Sequence, residues 1–201
     1  MAKALTAGEP ERRVPPGQTV TGKFPVLSYG PAPRFDPNNW NFRVFGLVEE
    51  RLKLSYEQVR ALPQSRQVSD FHCVTAWSRL DNVWEGVKVS DLMKLVKLKP
   101  EARFAIVDCD GGYSANLPLE EFLAADAMLA HRHDGCDLPP DRGWPLRLVV
   151  PKRYAWKSAK WVRAIEFLDQ NRRGFWEVRG YDNRADPWKE ERYSFQEDGG
   201  D

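Results

Sequence analysis

The 201-residue sequence predicts an α+β domain of mixed sheets with short helices. Three observations carry that expectation. Runs with strand composition recur at 40–48, 66–73, 103–109, 146–151 and 159–168. The helical segments, at 55–62, 90–96 and 118–125, are all short. Strands and helices do not alternate in the regular βαβ rhythm of a doubly wound sheet.

Taken in order, residues 1 to about 37 are rich in Pro, Gly and polar residues and read as an extended arm, with the arm proper at 1–25. The run 40-WNFRVFGLV-48 alternates roughly, as a half-buried strand does. Ser55 and Gln58 have capping-box spacing at the start of the first helix, and Pro63 stops it. Residues 66-RQVSDFHC-73 read as a strand running into a loop, and Ser90 as the N-cap of the second helix. The apolar strand 103-RFAIVDC-109 meets a strong turn signal at Asp110-Gly111-Gly112. The third helix opens with Pro118 and two acids in its first turn. Beyond it come 127-AMLAHRH-133, a turn at Asp134-Gly135, the Pro-rich loop 138-LPPDRGWP-145 and the strand 146-LRLVVP-151. The strand 159–168 alternates for part of its length, and 189–201 read as a polar tail behind a domain at 26–188.

Composition narrows the function. Hydrophobic residues make up 42% of the chain and charged residues 29%, enough for a core and a soluble surface. A net charge of +1 gives no whole-chain basic footprint for nucleic acid. No apolar run is long enough to span a bilayer, and Arg12-Arg13 has no apolar segment after it to make an export signal, so a cytoplasmic location is expected. Cys73, Cys109 and Cys136 are widely spaced, which argues against a disulfide framework or a four-ligand zinc site.

Three groupings could carry chemistry. Cys73, beside His72, offers a soft thiolate that cannot build an ordinary metal site alone; a cofactor would have to supply the other ligands. The run 152-KRYAWKSAKW-161 brings Lys152, Arg153, Lys157, Ser158 and Lys160 together, with Arg142 and Arg147 just upstream and Trp144, Trp156 and Trp161 threaded between them. Forked and point cations beside aromatic rings suit a flat heterocycle that carries a phosphate; a solvated basic face is the plainer alternative. The cluster His131, His133, Asp134 and Cys136 could be drawn as a zinc site, but the Asp-Gly turn breaks its spacing.

The motifs 71-FHCVTAWS-78, 108-DCDGGYSANLPLEE-121, 138-LPPDRGWPLRLVVPKRYAWKSAKW-161 and 175-FWEVRGYDNRADPW-188 together resemble the sulfite oxidase family of molybdopterin-dependent oxidoreductases, most of all its small bacterial members, kin of the periplasmic methionine sulfoxide reductase catalytic subunit. The resemblance runs from about Val26 to Trp188. It implies the family's molybdopterin-binding fold and a molybdenum–molybdopterin cofactor. Cys73 matches the molybdenum ligand, and His72 would line the pterin side. Arg147, in 143-GWPLR-147, matches a phosphate-binding arginine, with Arg142 nearby. Ser158, Ala159 and Lys160 match a tripeptide that wraps the phosphate largely through backbone groups, and Lys157 stands beside it. Asp108 and the loop 29-YGPAP-33, led by Tyr29, match further pterin contacts, and Tyr181 matches an active-site tyrosine. Sulfite oxidases carry an arginine where this chain has Ser78, which weakens sulfite as substrate; Arg79 is adjacent.

The activity so implied is oxygen-atom transfer, either sulfite oxidation or reduction of a sulfoxide or N-oxide. Its partners would be a small oxo-donor or oxo-acceptor and an external electron carrier, and the chain would act as a monomer. The alternative is a catalytically inactive pterin- or ligand-binding module that keeps the fold.

Overall fold

The computed structural model describes residues 13–197; residues 1–12 of the expected arm and 198–201 of the expected tail lie outside the described residues. In chain order the strands are β1 (Thr19–Val20), β2 (Asn41–Gly46), β3 (Leu52–Ser55), β4 (Gln64–Cys73), β5 (Trp77–Lys88), β6 (Phe104–Cys109), β7 (Ser114–Pro118), β8 (Met128–His133), β9 (Cys136–Asp137), β10 (Arg147–Val149) and β11 (Val162–Leu168). Three short helices join them: α1 (Tyr56–Ala61), α2 (Val89–Leu92) and α3 (Leu119–Phe122).

The strands form two sheets. In the five-stranded sheet the order is β3-β2-β11-β6-β7, with β11 and β2 parallel and the other pairs antiparallel. In the other, β5 pairs along its length with β4, at its start with β1 and at its end with β8, which continues to β10 and β9. The main core joins the two sheets: Phe42, Val107, Ile165 and Phe167 from the first pack with Val87, Leu129 and Leu148 from the second. Met128, Ala130 and Val149 point the other way, into a second cluster with Phe71 and Trp84. Both faces of β8 and β10 are therefore buried, which is why 127–130 and 146–151 read as unbroken apolar runs.

Local sequence explains most element ends. The capping box at α1 forms: Ser55 Oγ accepts the Gln58 amide at 3.2 Å and Gln58 Oε1 accepts the Ser55 amide at 2.8 Å. The second helix differs from expectation. It starts at Val89, Ser90 lies inside it, and Lys88 stands at the cap without a side-chain capping bond. Met93–Leu95 follow as a tighter 3-10 turn. The Asp110-Gly111-Gly112 signal is a one-turn connection between β6 and β7, with Gly111 at φ 79°.

The arm is docked where it is described. Arg13 bridges Asp70 and Asp81, β1 pairs in parallel with β5, and Phe24 inserts among Phe71, Trp77 and Trp84. The tail is also tied in: Glu197 pairs with Arg173 and accepts the Asn183 amide, and Arg192 donates to the Val74 carbonyl.

Candidate active site

Between the end of β4 and the loop after β10 lies a cavity of about 320 Å³. Its wall includes Phe24 to Tyr29 from the arm, Cys73 to Thr75 after β4, Arg142 and Arg147, the segment Ser158–Trp161, and Trp156, Trp176 and Tyr181.

Cys73 is the last residue of β4 and sits opposite Trp77 across the hairpin, so both side chains share the face that lines the cavity. Its Sγ lies 3.1 Å from Thr75 Oγ1 and its carbonyl accepts from Gln18 Nε2 at 3.2 Å. His72 sits opposite Ser78 on the other face. Its Nδ1 is 2.8 Å from Ser78 Oγ, and its ring is buried edge-on against Trp188. Burial pushes its pKa down to about 4, so the ring is neutral at pH 7. The side chain of His72, expected on the pterin side, is not part of the cavity wall, because neighbours on a strand point to opposite faces. Its backbone still serves the site, because the His72 carbonyl accepts the Ala155 amide at 2.8 Å and ties the basic loop beside Cys73.

Three cations line the cavity. Arg147 is 6% exposed; its Nη1 donates to the Arg142 carbonyl at 3.1 Å and its Nε is buried with no partner. Its guanidinium stacks over Phe71 at 4.9 Å and Phe24 at 5.6 Å. Burial is the main reason its pKa falls to about 10, with neighbouring Arg142 adding to the fall. Arg142 also lies over Phe24, 4.6 Å from the ring centre. Lys160 donates to the Leu27 carbonyl at 2.9 Å, the Asp141 carbonyl at 3.0 Å and Ser28 Oγ. Burial, then Arg147 and Arg142, bring its pKa down to about 8. Like charges gathered in a half-buried wall call for an anion.

Ser158, Ala159 and Tyr29 line the cavity too. The Ser158 and Ala159 amides, however, are engaged in local turns with the Ala155 carbonyl at 3.1 Å and the Lys157 carbonyl at 3.0 Å, so the expected backbone cradle is not free there. Ser158 Oγ accepts the Val150 amide at 2.9 Å and keeps its own proton to donate. Tyr29 rests on Phe175 with ring centres 4.6 Å apart. Tyr181 is held between Trp156 and Trp176, each 5.1 Å away, and burial raises its pKa, so its hydroxyl stays protonated at neutral pH.

Two further expected contacts lie outside the cavity wall. Lys157 is fully buried and turned inward, 2.5 Å from Glu177. Asp108 sits on β6, where Ser114 and Ala164 flank it on the neighbouring strands; burial raises its pKa, and Arg172 and Arg43 pull the other way. Arg79 shares the face of Cys73 by register, but its guanidinium is taken by Asp134, His133 and Asn82. Phe24 and Pro25 went unread as site residues, since nothing in an irregular arm marks one aromatic residue for the cavity; the boundary expected at residue 25 cuts through this wall. Among the described residues, no group of three His, Cys, Asp or Glu side chains could hold a metal, so a metal at Cys73 would take its other ligands from a cofactor.

The sequence profile of the oxidoreductase molybdopterin-binding domain matches residues 29–176. The chain belongs to this family: it is a molybdopterin-dependent oxidoreductase of the sulfite oxidase type, with a molybdenum–molybdopterin cofactor. It is 48% identical over 184 residues to an uncharacterized oxidoreductase, YuiH, of Bacillus subtilis, covering 91% of this chain and 93% of that one. It is 29% identical to the methionine-sulfoxide reductase catalytic subunit MsrP of Campylobacter jejuni over 163 residues, 73% of this chain and 54% of the relative. Sulfite oxidase of Arabidopsis thaliana is 27% identical over 220 residues, 88% of this chain and 56% of that protein. The chain thus spans little more than half of these two relatives. The crystal structure of the sulfane dehydrogenase SoxCD from Paracoccus pantotrophus has the same fold, with a TM-score of 0.63 at 23% identity over 69% of this chain and 40% of that one.

The residues present fit such a group. A thiol opens on the cavity without a protein metal site around it, and a buried arginine beside it has an unpartnered Nε.

Proposed function

We propose that the protein catalyses oxygen-atom transfer at a molybdenum bound through Cys73. One observation carries the reading: Cys73 and the cations Arg142, Arg147 and Lys160 open on a single cavity rich in aromatic rings. The bound cofactor supplies a two-electron metal couple able to accept or give an oxygen atom.

The chain's own residues do the rest. Cys73 would be the metal ligand through its soft sulfur. Arg147, Arg142 and Lys160 hold the pterin phosphate, with the Ser158 hydroxyl as a further donor. Ala159 and Tyr29 complete the wall around the pterin. Tyr181 donates a hydrogen bond from its hydroxyl to the oxygen being transferred, which its raised pKa permits. The rings of Trp156 and Trp176 pack against Tyr181 and hold its ring in place. Electrons pass to or from an external carrier, and the unit acts as a monomer.

The test is elemental analysis and pterin release on protein from a cofactor-making host, wild type beside Cys73→Ser. About one molybdenum and one pterin per wild-type chain, with metal lost in the variant, supports the reading. Full molybdenum in Cys73→Ser removes the cysteine from the metal.

A further inference from the structure

Lys157 and Glu177 are both buried, with a 2.5 Å ion pair between Lys157 Nζ and Glu177 Oε1. Neither lines the cavity. Each nevertheless sits next in sequence to residues that do: Trp156 and Ser158 flank Lys157, and Trp176 precedes Glu177.

The bonds around the pair link these walls. Glu177 Oε1, which holds Lys157, also accepts the Trp156 indole N–H at 2.9 Å. Lys157 Nζ donates to the Asn116 carbonyl at 3.0 Å and to its side-chain oxygen at 2.7 Å, which anchors the pair to β7. Asn116 Nδ2 in turn donates to Asn171 and Asn183, both at 2.7 Å. Glu177 starts the one-turn helix Glu177–Arg179 that leads to Tyr181. That turn closes through the Gly180 amide to the Glu177 carbonyl at 3.3 Å and the Tyr181 amide to the Trp176 carbonyl at 3.1 Å, with Gly180 at φ 95°. The Tyr181 ring then packs on Trp156, the ring whose indole N–H Glu177 holds.

A buried ion pair is an expensive way to fill a core, and apolar residues of like size often serve stability as well. What it adds is direction: a carboxylate fixes both an ammonium and an indole N–H at set angles. We infer that Glu177 and Lys157 are positioning residues whose joint role is to hold Trp156 and the turn before Tyr181, so that the tyrosine hydroxyl is aimed at the reacting oxygen. This rests on the role proposed for Tyr181.

The experiment is a double-mutant cycle between Glu177→Gln and Tyr181→Phe, with Lys157→Met as a second probe of the pair. Molybdenum and pterin content are measured on each, and kcat and KM with whichever of sulfite (ferricyanide as acceptor) or dimethyl sulfoxide (reduced viologen as donor) the wild type turns over. Tyr181→Phe and Glu177→Gln are each expected to lower kcat about tenfold or more at unchanged metal content and near-constant KM, and together no more than Tyr181→Phe alone. A structural readout accompanies the kinetics. In cofactor-free protein, the Trp156 indole N–H resonance and a fluorotyrosine signal at position 181 should both move in Glu177→Gln and in Lys157→Met. If a slow Tyr181→Phe loses activity further, by the same factor as the wild type does, the pair's positioning role is overturned while the tyrosine's stands. Unmoved resonances overturn it as well. Full turnover in Tyr181→Phe overturns the tyrosine's role and the inference with it.

Discussion

Arg147→Met should push two properties in opposite directions. The guanidinium is 6% exposed, holds one carbonyl at 3.1 Å and leaves Nε unpartnered by protein groups. Its pKa of about 10 lies well below the ordinary arginine value, with burial the largest cause. At about 1.36 kcal/mol for each tenfold change in the protonation equilibrium, keeping this charge buried without an anion costs roughly 3 kcal/mol. A base with a lowered folded pKa carries that penalty in full at every pH below the folded value, so an assay near neutrality sees all of it. Methionine puts an apolar thioether where the guanidinium stands over Phe71 and Trp84, and removes the charge. Cofactor-free Arg147→Met should therefore be about 1–3 kcal/mol more stable than wild type by urea unfolding. The same change removes charge-assisted bonds worth about 1.5–3 kcal/mol each to a bound phosphate, so occupancy from a cofactor-making host should fall by about tenfold or more. A variant that is less stable without cofactor yet fully loaded with it would refute the argument that Arg147 awaits an anion.

Other outcomes follow from the same geometry. Sulfate, whose charge is constant across the range, should bind the cofactor-free protein more weakly as pH rises through about 8, where Lys160 loses its proton; the loss should approach about tenfold per pH unit, and calorimetry on Lys160→Gln should show a flat profile. His72, His131 and His133 are all held near pKa 4 by burial. The unfolded chain therefore binds more protons than the folded one between about pH 6.5 and 4, and stability should fall by roughly 3 kcal/mol for each of the three histidines as pH drops through that window. His131 sits between the Arg60 guanidinium and Gln64 Oε1 at 2.7 Å, so His131→Phe should make the denaturation midpoint less steep in pH. Gly86→Ala would place a Cβ 2.1 Å from the Leu129 carbonyl oxygen, across the β5–β8 pairing. It should cost about 4 kcal/mol or more, and a thermal midpoint near wild type would show that this strand approach relaxes easily.

What the sequence made legible depends on where it puts apolar residues. β6, β8, β10 and β11 stand out because they pack apolar residues on the core. β5, the 12-residue strand at the centre of its sheet, escaped notice. Its buried positions include Ser78, Asn82 and Gly86, so polarity does not alternate with burial. Asn82 is satisfied by the Arg79 and Ser69 carbonyls, and Ser78 by His72, partners that no periodicity announces. Among the site residues, Cys73, Arg142, Arg147, Ser158, Lys160 and Tyr181 converge on one cavity from four separate stretches of chain. Strand alternation already implied that adjacent His72 and Cys73 could not both face it. The inward turn of Lys157 was not legible, because its partner Glu177 lies twenty residues on, in an irregular segment.

The same alternation decides what Ser78 can do. The family's sulfite-binding arginine would stand there, yet in this chain the position faces away from Cys73 with His72, wholly buried. Ser78 Oγ meets His72 Nδ1 at 2.8 Å and donates to Gln18 Oε1 at 3.3 Å, while Gln18 Nε2 holds the Cys73 carbonyl at 3.2 Å. Placing a guanidinium in this layer buries a charge where the carboxylate coupled to His72, Asp70, is already taken by Arg13, and breaks the bonds that fix the backbone of Cys73. Ser78→Arg should therefore cost about 3 kcal/mol or more and reduce molybdenum retention rather than create a sulfite site. The assay is molybdenum content, melting temperature and sulfite turnover on one preparation. A well-folded, metal-loaded Ser78→Arg that gains sulfite turnover would mean that β5 can present residue 78 to the cavity, and the face assignment of the hairpin would have to be reversed.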